Sequence, residues 1–303
     1  MAEITNNSYK KIKTNFNKVM EFNRAFDMVE AEPSEYMCFV EDSRGNIKYN
    51  PLKYIRKNIF KDLPNIIKLR CDLIKEEIGE LNDAILQNDL IEQRDACADI
   101  LYVVYGMADV LGISIDDLFT NNNSITISNF NKVKLIKNEI LGFDISRKSN
   151  EELISFINVN LNKIYLELES NCIIKDFDYS SDETITNKFK LVADNLYSLL
   201  KWTYLMTFVI GADADEDFAI VHNSNMSKLC ENEDDAKATV EDYKIKYIAG
   251  TSPYDSPYYY YLNGLDKWIV KNLSTGKALK NIKYKKVCFT TNTNTYTYNR
   301  FVF

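Results

Sequence analysis

The stretch from Leu69 to Gly112 constrains this chain more than any other, because it reads as two helices that carry acids where helices usually bury apolar side chains. On the first helix Ile74, Ile78, Leu81 and Ile85 recur at the spacing of one buried stripe. Glu77 and Glu80 lie on the flank of that stripe, and Glu76 pairs with Glu80 one turn on while pointing further out. Like charges at such spacings repel by about 0.2–0.5 kcal/mol in an isolated helix. The second helix, Asp95 to Leu111, is apolar almost all round, which marks a buried helix. Its exceptions, Asp95, Asp99, Tyr102, Gly106 and Asp109, fall on a single polar stripe. A buried carboxylate without a partner changes its protonation or destabilises the fold. Two helices turning Glu and Asp toward each other therefore make an all-oxygen site suited to a hard divalent ion such as Mg²⁺. Asp109, at the end of the stripe, is expected to face solvent or cap a neighbour.

Composition narrows the partners. The 303 residues are 46% hydrophobic and 27% charged, as in a globular protein of one large or two small domains. The net charge is −7 with no long basic run, which disfavours nucleic acid and anionic membranes as partners. An acidic protein that handles phosphates needs metal ions and a few local lysines. The six cysteines are scattered with no CxxC pair, so free thiols in a reducing compartment are expected. Cys71 and Cys97 read as small buried hydrophobes. The N-terminus lacks the apolar core of a signal peptide, and no apolar run approaches a membrane span, so an intracellular location is expected. His222 is the only histidine, which rules out a His-based zinc cluster and argues against Ser–His catalysis.

The pattern predicts helices over about 9–29, 52–60, 65–87, 91–111, 128–141, 150–169 and 184–210, and helical character around Glu231–Tyr243. Pro33 to Pro51 reads as a loop. Pro64 suits the first turn of the third helix, and Gly112 suits the C-cap of the fourth. Trp268 to Leu273 reads as a strand, Ser274–Lys277 as a turn, and the Tyr258–Tyr261 run as packing. The expected fold is all-α, a four- to five-helix bundle with a small irregular or hairpin tail. Its expected parts are residues 9–120 with the acids, an inserted helical segment 121–210, and 211–303.

An internal echo runs through the inserted segment. Asn15-Phe16-Asn17-Lys18-Val19 reappears as Asn129-Phe130-Asn131-Lys132-Val133, and Ala98-Asp99-Ile100-Leu101-Tyr102 has a partner in Ala193-Asp194-Asn195-Leu196-Tyr197. Laid over the first pair of helices, the second turns Glu77 into Asn160 and Glu80 into Lys163. Either residues 128–210 are a degenerate second copy packed as a built-in half of a dimer, or the matches are chance in an Asn- and Lys-rich chain. A homodimer remains open beside the intrachain pseudo-dimer.

Glu77-Ile78-Gly79-Glu80 followed by Asp99 resembles the ExxE and ExxD signature of the all-α NTP pyrophosphohydrolase superfamily, which includes MazG-like enzymes, dimeric dUTPases and phosphoribosyl-ATP pyrophosphohydrolases. One position departs: Ala96 stands three before Asp99, and Asp95 is the acid available. Val221-His222-Asn223-Ser224-Asn225-Met226-Ser227-Lys228 resembles the VHxSNMSK segment of the MazG-like, phosphoribosyl-ATP pyrophosphohydrolase-like branch. Gly276-Lys277-Ala278-Leu279-Lys280-Asn281-Ile282-Lys283-Tyr284 matches the GKxLKxxxY element that follows it there. The resemblance implies hydrolysis of a nucleoside triphosphate, in all expectation a dNTP, to monophosphate and pyrophosphate, in a nucleotide-pool housecleaning role. It implies Mg²⁺, with Mn²⁺ as a substitute, on Glu77, Glu80 and Asp99. Glu76 or Asp95 is the further carboxylate, as another ligand or as the group that orients or deprotonates a water. Lys228, with Lys277 and Lys280, is expected to balance charge on the leaving pyrophosphate. Asn225 and Asn23 are candidate readers of a base or sugar edge, and Tyr102 is open between a core and a site residue. A non-catalytic nucleotide-binding module and a phosphoribosyl-ATP pyrophosphohydrolase are the alternatives.

Overall fold

A computed structural model of the chain describes residues 14–28, 30–31, 39–41, 47–49, 59–113, 115, 149–173 and 181–289. Thr14 opens α1 (Asn15–Ala25) by accepting a hydrogen bond from the Asn17 backbone. The helix stops short of the expected residue 29. Asp27 turns left-handed at φ 48°, and Phe26 drops into a small cluster with Leu229 and Ile269. Two short antiparallel strands, β1 (Phe39–Glu41) and β2 (Ile47–Tyr49), stand where a plain loop was expected. Of the helix expected over 52–60, only the end lies within the described residues, and α2 there is Ile59–Asp62. The helix expected over 128–141 lies outside them.

Pro64 starts α3 (Pro64–Leu86), where a missing N–H costs nothing. Asn88 turns at φ 53°, and Asp89 then caps α4 (Leu90–Leu111) by accepting from the Ile91 and Glu92 backbones. The short connection makes α3 and α4 an antiparallel pair. Ile74, Ile78 and Leu81 are buried as expected. Ser149 and Glu152 form a capping box at the start of α5 (Asn150–Cys172), and Ser181 caps α6 (Asp182–Val209). This second pair lies on the first, α5 against α3 and α6 against α4. On the other side α4 meets α1 and α7 (Ala214–Met226). Surrounded by four helices, α4 has to be apolar almost all round, and that is the physical source of its sequence pattern.

α7 falls in a stretch where no separate helix was expected. Asp213 caps it and Asp215, Glu216 and Asp217 occupy its first turn, where acids suit the helix dipole. α8 (Glu233–Ile248) follows, starting two residues later and ending five later than expected. A hairpin of β3 (Pro257–Leu262) and β4 (Lys267–Asn272) follows, with Tyr259 opposite Val270. The strand at 268–273 is therefore present. The Tyr258–Tyr261 run is its partner, and Tyr259 and Tyr261 pack on Trp268.

Gly112 ends α4 at φ 68°, with its N–H on the Ala108 and Asp109 carbonyls. Gly112→Ala is expected to lower stability by about 1–2 kcal/mol, since a Cβ opposes the left-handed region. Urea unfolding checks it, and an unchanged midpoint would mean that this cap is not needed. Gly106 has another role. A Cβ there would stand 2.8 Å from the Arg70 guanidinium, so the glycine gives Arg70 its path across α4.

Candidate functional site

The acids of α3 and α4 meet on one face. Burial raises Glu77 to about 8, and Asp99, Glu80, Glu76 and Asp95 push it the same way. Asp99, half-buried, is raised to about 7 by burial and by Asp95 and Glu80, while Lys228 opposes. Asp95 is raised to about 6, again chiefly by burial and then by Glu92 and Glu80. Burial and Glu76 raise Glu80 as well, although it and Glu76 are the exposed members. Glu76, Glu77, Glu80, Asp95 and Asp99 are thus one electrostatic unit.

The opposite wall is basic. Lys228, just past α7, is lowered to about 8 by burial and by its neighbours Lys280 and Lys277, with Asp99 pulling the other way. Two remote segments converge here for an identifiable reason. The Asn281 side chain donates to the Leu229 and Ser227 carbonyls at 2.6 and 3.0 Å. Ser224 donates to the Lys285 carbonyl at 2.8 Å, and the Lys285 backbone donates to Ser227 Oγ at 3.0 Å. The 276–285 segment is therefore laced onto the end of α7, and its lysines arrive beside Lys228.

Between the two walls lies Tyr102, 7% exposed, its ring edge-on to Phe22 and stacked on Phe218. Its hydroxyl is 3.2 Å from His222 Nδ1, and Asn225 Oδ1 accepts from Lys228 Nζ at 2.7 Å. Tyr102 is thus both a packed ring and a neighbour of the site. His222 is 8% exposed and bonded, as a structural histidine would be.

Two expectations are corrected. Asp109 does not face solvent. It is fully buried, accepts from the Asn23 amide at 2.5 Å, and has the Arg70 charge nearby. Asn23, 1% exposed, is committed to that bond and ties α1 to α4, so its amide nitrogen is not open to a base or sugar. No local pattern signalled Arg94 and Asp217, a buried bidentate pair at 3.0 and 2.6 Å that joins α4 to α7 beside Asp95. Their separation of 123 positions hides the pairing from any local pattern.

A divalent ion fits this donor set, and the test is an orphaned atom. Asp95 Oδ1 is buried with no hydrogen-bond partner among the described residues. The raised acids around it offer only oxygen, the donor that hard cations take. Among the described residues no group of three or more His, Cys, Asp or Glu side chains is already gathered to hold an ion.

The metal-free protein should show this crowding in its pH dependence. Unfolded carboxylates titrate near ~4, so the folded chain holds extra protons between that value and about 8. The stability these acids contribute is complete below their unfolded values and is lost as pH rises through about 6, 7 and 8. In chelator, the wild-type unfolding temperature is expected to fall from pH 5 to 8, and Glu77→Gln to flatten the slope. Equal slopes in both would show that Glu77 carries no such strain.

A family model described as phosphoribosyl-ATP pyrophosphohydrolase matches residues 50–123, which contain α3, α4 and all five acids. Residues 50–123 thus carry a domain of the MazG-like all-α NTP pyrophosphohydrolase superfamily. The chain is 33% identical over 287 residues to an uncharacterized protein of Acanthamoeba polyphaga mimivirus, covering 94% of this chain and 96% of that one. The second helical pair and the basic segment are therefore part of what the two share. No solved structure matches the chain. The matched domain supports a pyrophosphohydrolase-type activity broadly, and no helix of the described residues is long and apolar enough to cross a membrane.

Proposed function

We propose that the protein is a Mg²⁺-dependent nucleoside triphosphate pyrophosphohydrolase, acting on dNTPs to give the monophosphate and pyrophosphate. The observation that carries the reading is the pairing of a buried acidic face with a wall of three lysines. A triphosphate needs both, a cation at the reacting phosphoryl group and positive side chains along the chain. Glu77, Glu80 and Asp99, with Asp95 or Glu76, are the residues that would hold the ion. When bound, the ion neutralises phosphate charge and polarises the α-phosphoryl group.

The remaining work falls to the chain itself. Asp95 or Glu76 accepts the proton of the attacking water, and the raised affinity of Asp95 for protons, about 6, suits that task near neutral pH. Lys228 meets charge as it develops on the leaving pyrophosphate, with Lys277 and Lys280 behind it. Asn225, whose oxygen accepts from Lys228, would offer its amide nitrogen to the nucleotide, and Lys228 lies over the Phe22 ring at 5.6 Å.

The test is a panel of dNTPs, NTPs and phosphoribosyl-ATP with Mg²⁺, read as pyrophosphate release. Release from dNTPs supports the reading. Nucleotide binding with no release favours a non-catalytic binding module, and release from phosphoribosyl-ATP alone favours the activity after which the matching family model is described.

A further inference from the structure

The turn that brings Lys277 to the lysine wall is held by a carboxylate from outside it. Asp255 stands just before β3, and one of its oxygens, Oδ1, accepts three hydrogen bonds. Ser274 Oγ donates at 2.5 Å, Ser256 Oγ at 2.9 Å and the Asn272 amide at 3.2 Å. The orientation of that amide is fixed by its surroundings. Asn272 Oδ1 takes the Ser256 backbone N–H at 2.9 Å, so the amide nitrogen must face Asp255, Ser274 and Thr275. Asn272 is fully buried at the end of β4. The Ser256 hydroxyl, having given its proton to Asp255, accepts the Ser274 backbone N–H at 3.0 Å. Each group in this knot is thus set as donor or acceptor, and Asp255 is its centre.

Lys277 hangs from the same knot. Its carbonyl accepts from the Asn272 backbone at 2.9 Å, and its own N–H reaches Thr275 Oγ1 at 3.3 Å. Gly276 makes the bend at φ 69° and donates to the Asn272 carbonyl at 2.7 Å. The Lys277 ammonium lies over the ring of Tyr254, the neighbour of Asp255, 5.7 Å from its centre. Beyond the turn, the Leu279 backbone donates to the Val270 carbonyl at 2.8 Å. Asn281 then bonds the carbonyls on either side of Lys228.

We propose that Asp255 is a positioning residue, which locks the 274–277 turn and so holds the Lys277 ammonium, over Tyr254, in the phosphate-facing wall. That the wall meets phosphate rests on the reading given above; the locking does not. Residues 274–277 are all exposed, so no apolar burial orders this turn and its hydrogen bonds must do so. Bonds from Ser274, Ser256 and Asn272 keep the Asp255 carboxyl at about 2, so it is a charged acceptor throughout the neutral range.

A double-mutant cycle reads this, with affinity for inorganic pyrophosphate measured by calorimetry. Asp255→Ala is expected to weaken binding about fivefold in the wild-type background and to have no further effect beside Lys277→Met. Asp255→Asn, neutral like alanine but with an accepting oxygen in place, should bind as wild type does. The same loss in both backgrounds, no loss in either, or a loss in Asp255→Asn equal to that in Asp255→Ala overturns the proposal. Should Asp255→Ala not fold, Ser274→Ala, which removes the 2.5 Å bond, carries the same cycle. The ligand-free arm is hydrogen exchange at the Ser274 and Gly276 amides. Exchange should quicken in Asp255→Ala and return to the wild-type rate in Asp255→Asn, and unchanged exchange in Asp255→Ala overturns the proposal. If wild type binds neither pyrophosphate nor nucleotide, the functional reading fails while this arm still decides the locking.

Discussion

Replacing Glu77 by glutamine is expected to lower pyrophosphate release by roughly a thousandfold, the upper range for removing one electrostatic element of a site, while raising the unfolding temperature of the metal-free protein. The two effects have one cause. Glu77 is pressed to about 8 by burial and by Asp99, Glu80, Glu76 and Asp95, so its charge is costly unless a cation answers it. A neutral amide of the same shape removes the repulsion and with it the ligand. Loss of activity through misfolding would move stability the other way. Pyrophosphate release and thermal unfolding on the same preparation distinguish these cases. Glu76→Gln, on the exposed side of the cluster, should cost less of either.

The second large effect concerns Arg94 and Asp217. Their side chains are 8% and 1% exposed and share two hydrogen bonds, which fastens α7, and therefore His222, Asn225 and Lys228, to α4. Burial pushes Asp217 up and the Arg94 guanidinium pulls it back down, so the carboxylate depends on its partner to stay charged. Removing one member leaves the other buried and uncompensated. Arg94→Met is expected to cost about 3–5 kcal/mol, and the double variant Arg94→Met/Asp217→Leu to recover most of it. Urea unfolding of the three proteins measures this. A single variant as stable as wild type would mean that water reaches Asp217 and that α7 is held by its apolar face alone.

These residues also show what a sequence discloses and what it hides. α3 and α4 were legible because their signals are local: Pro64 at a start, Gly112 at an end, and Ile74, Ile78 and Leu81 on one stripe. The acidic unit was legible for the same reason. Asp109 was misread because its partners are remote: Asn23 lies 86 positions away, and Arg70 reaches it over Gly106. α7 carried an Asp213 cap and buried Phe218, Val221 and His222 at helical spacing. Its polar face, shared with the motif residues Ser224 and Asn225, obscured that pattern. What brings Lys277 and Lys280 beside Lys228 was hidden too, since Asn281 ties their segment to Ser227 and Leu229 over 54 and 52 positions.

The echo between the two helical pairs stands as a proposal. α5 lies on α3 and α6 on α4, as two copies related by a pseudo-twofold would. Lys163 and Asp194, which the overlay puts in place of Glu80 and Asp99, line one open groove of about 640 Å³ between α5 and α6. Superposition of 59–111 on 150–210 tests it, and helices that do not overlay would end the idea.

The central claim is that the acids of α3 and α4 and the lysine wall cleave the bond between the α- and β-phosphates. The most direct measurement is ³¹P NMR of a dNTP incubated with the protein and Mg²⁺. The account predicts monophosphate and pyrophosphate appearing together in wild type and neither in Glu77→Gln. Diphosphate with inorganic phosphate, or equal turnover by Glu77→Gln, would contradict it.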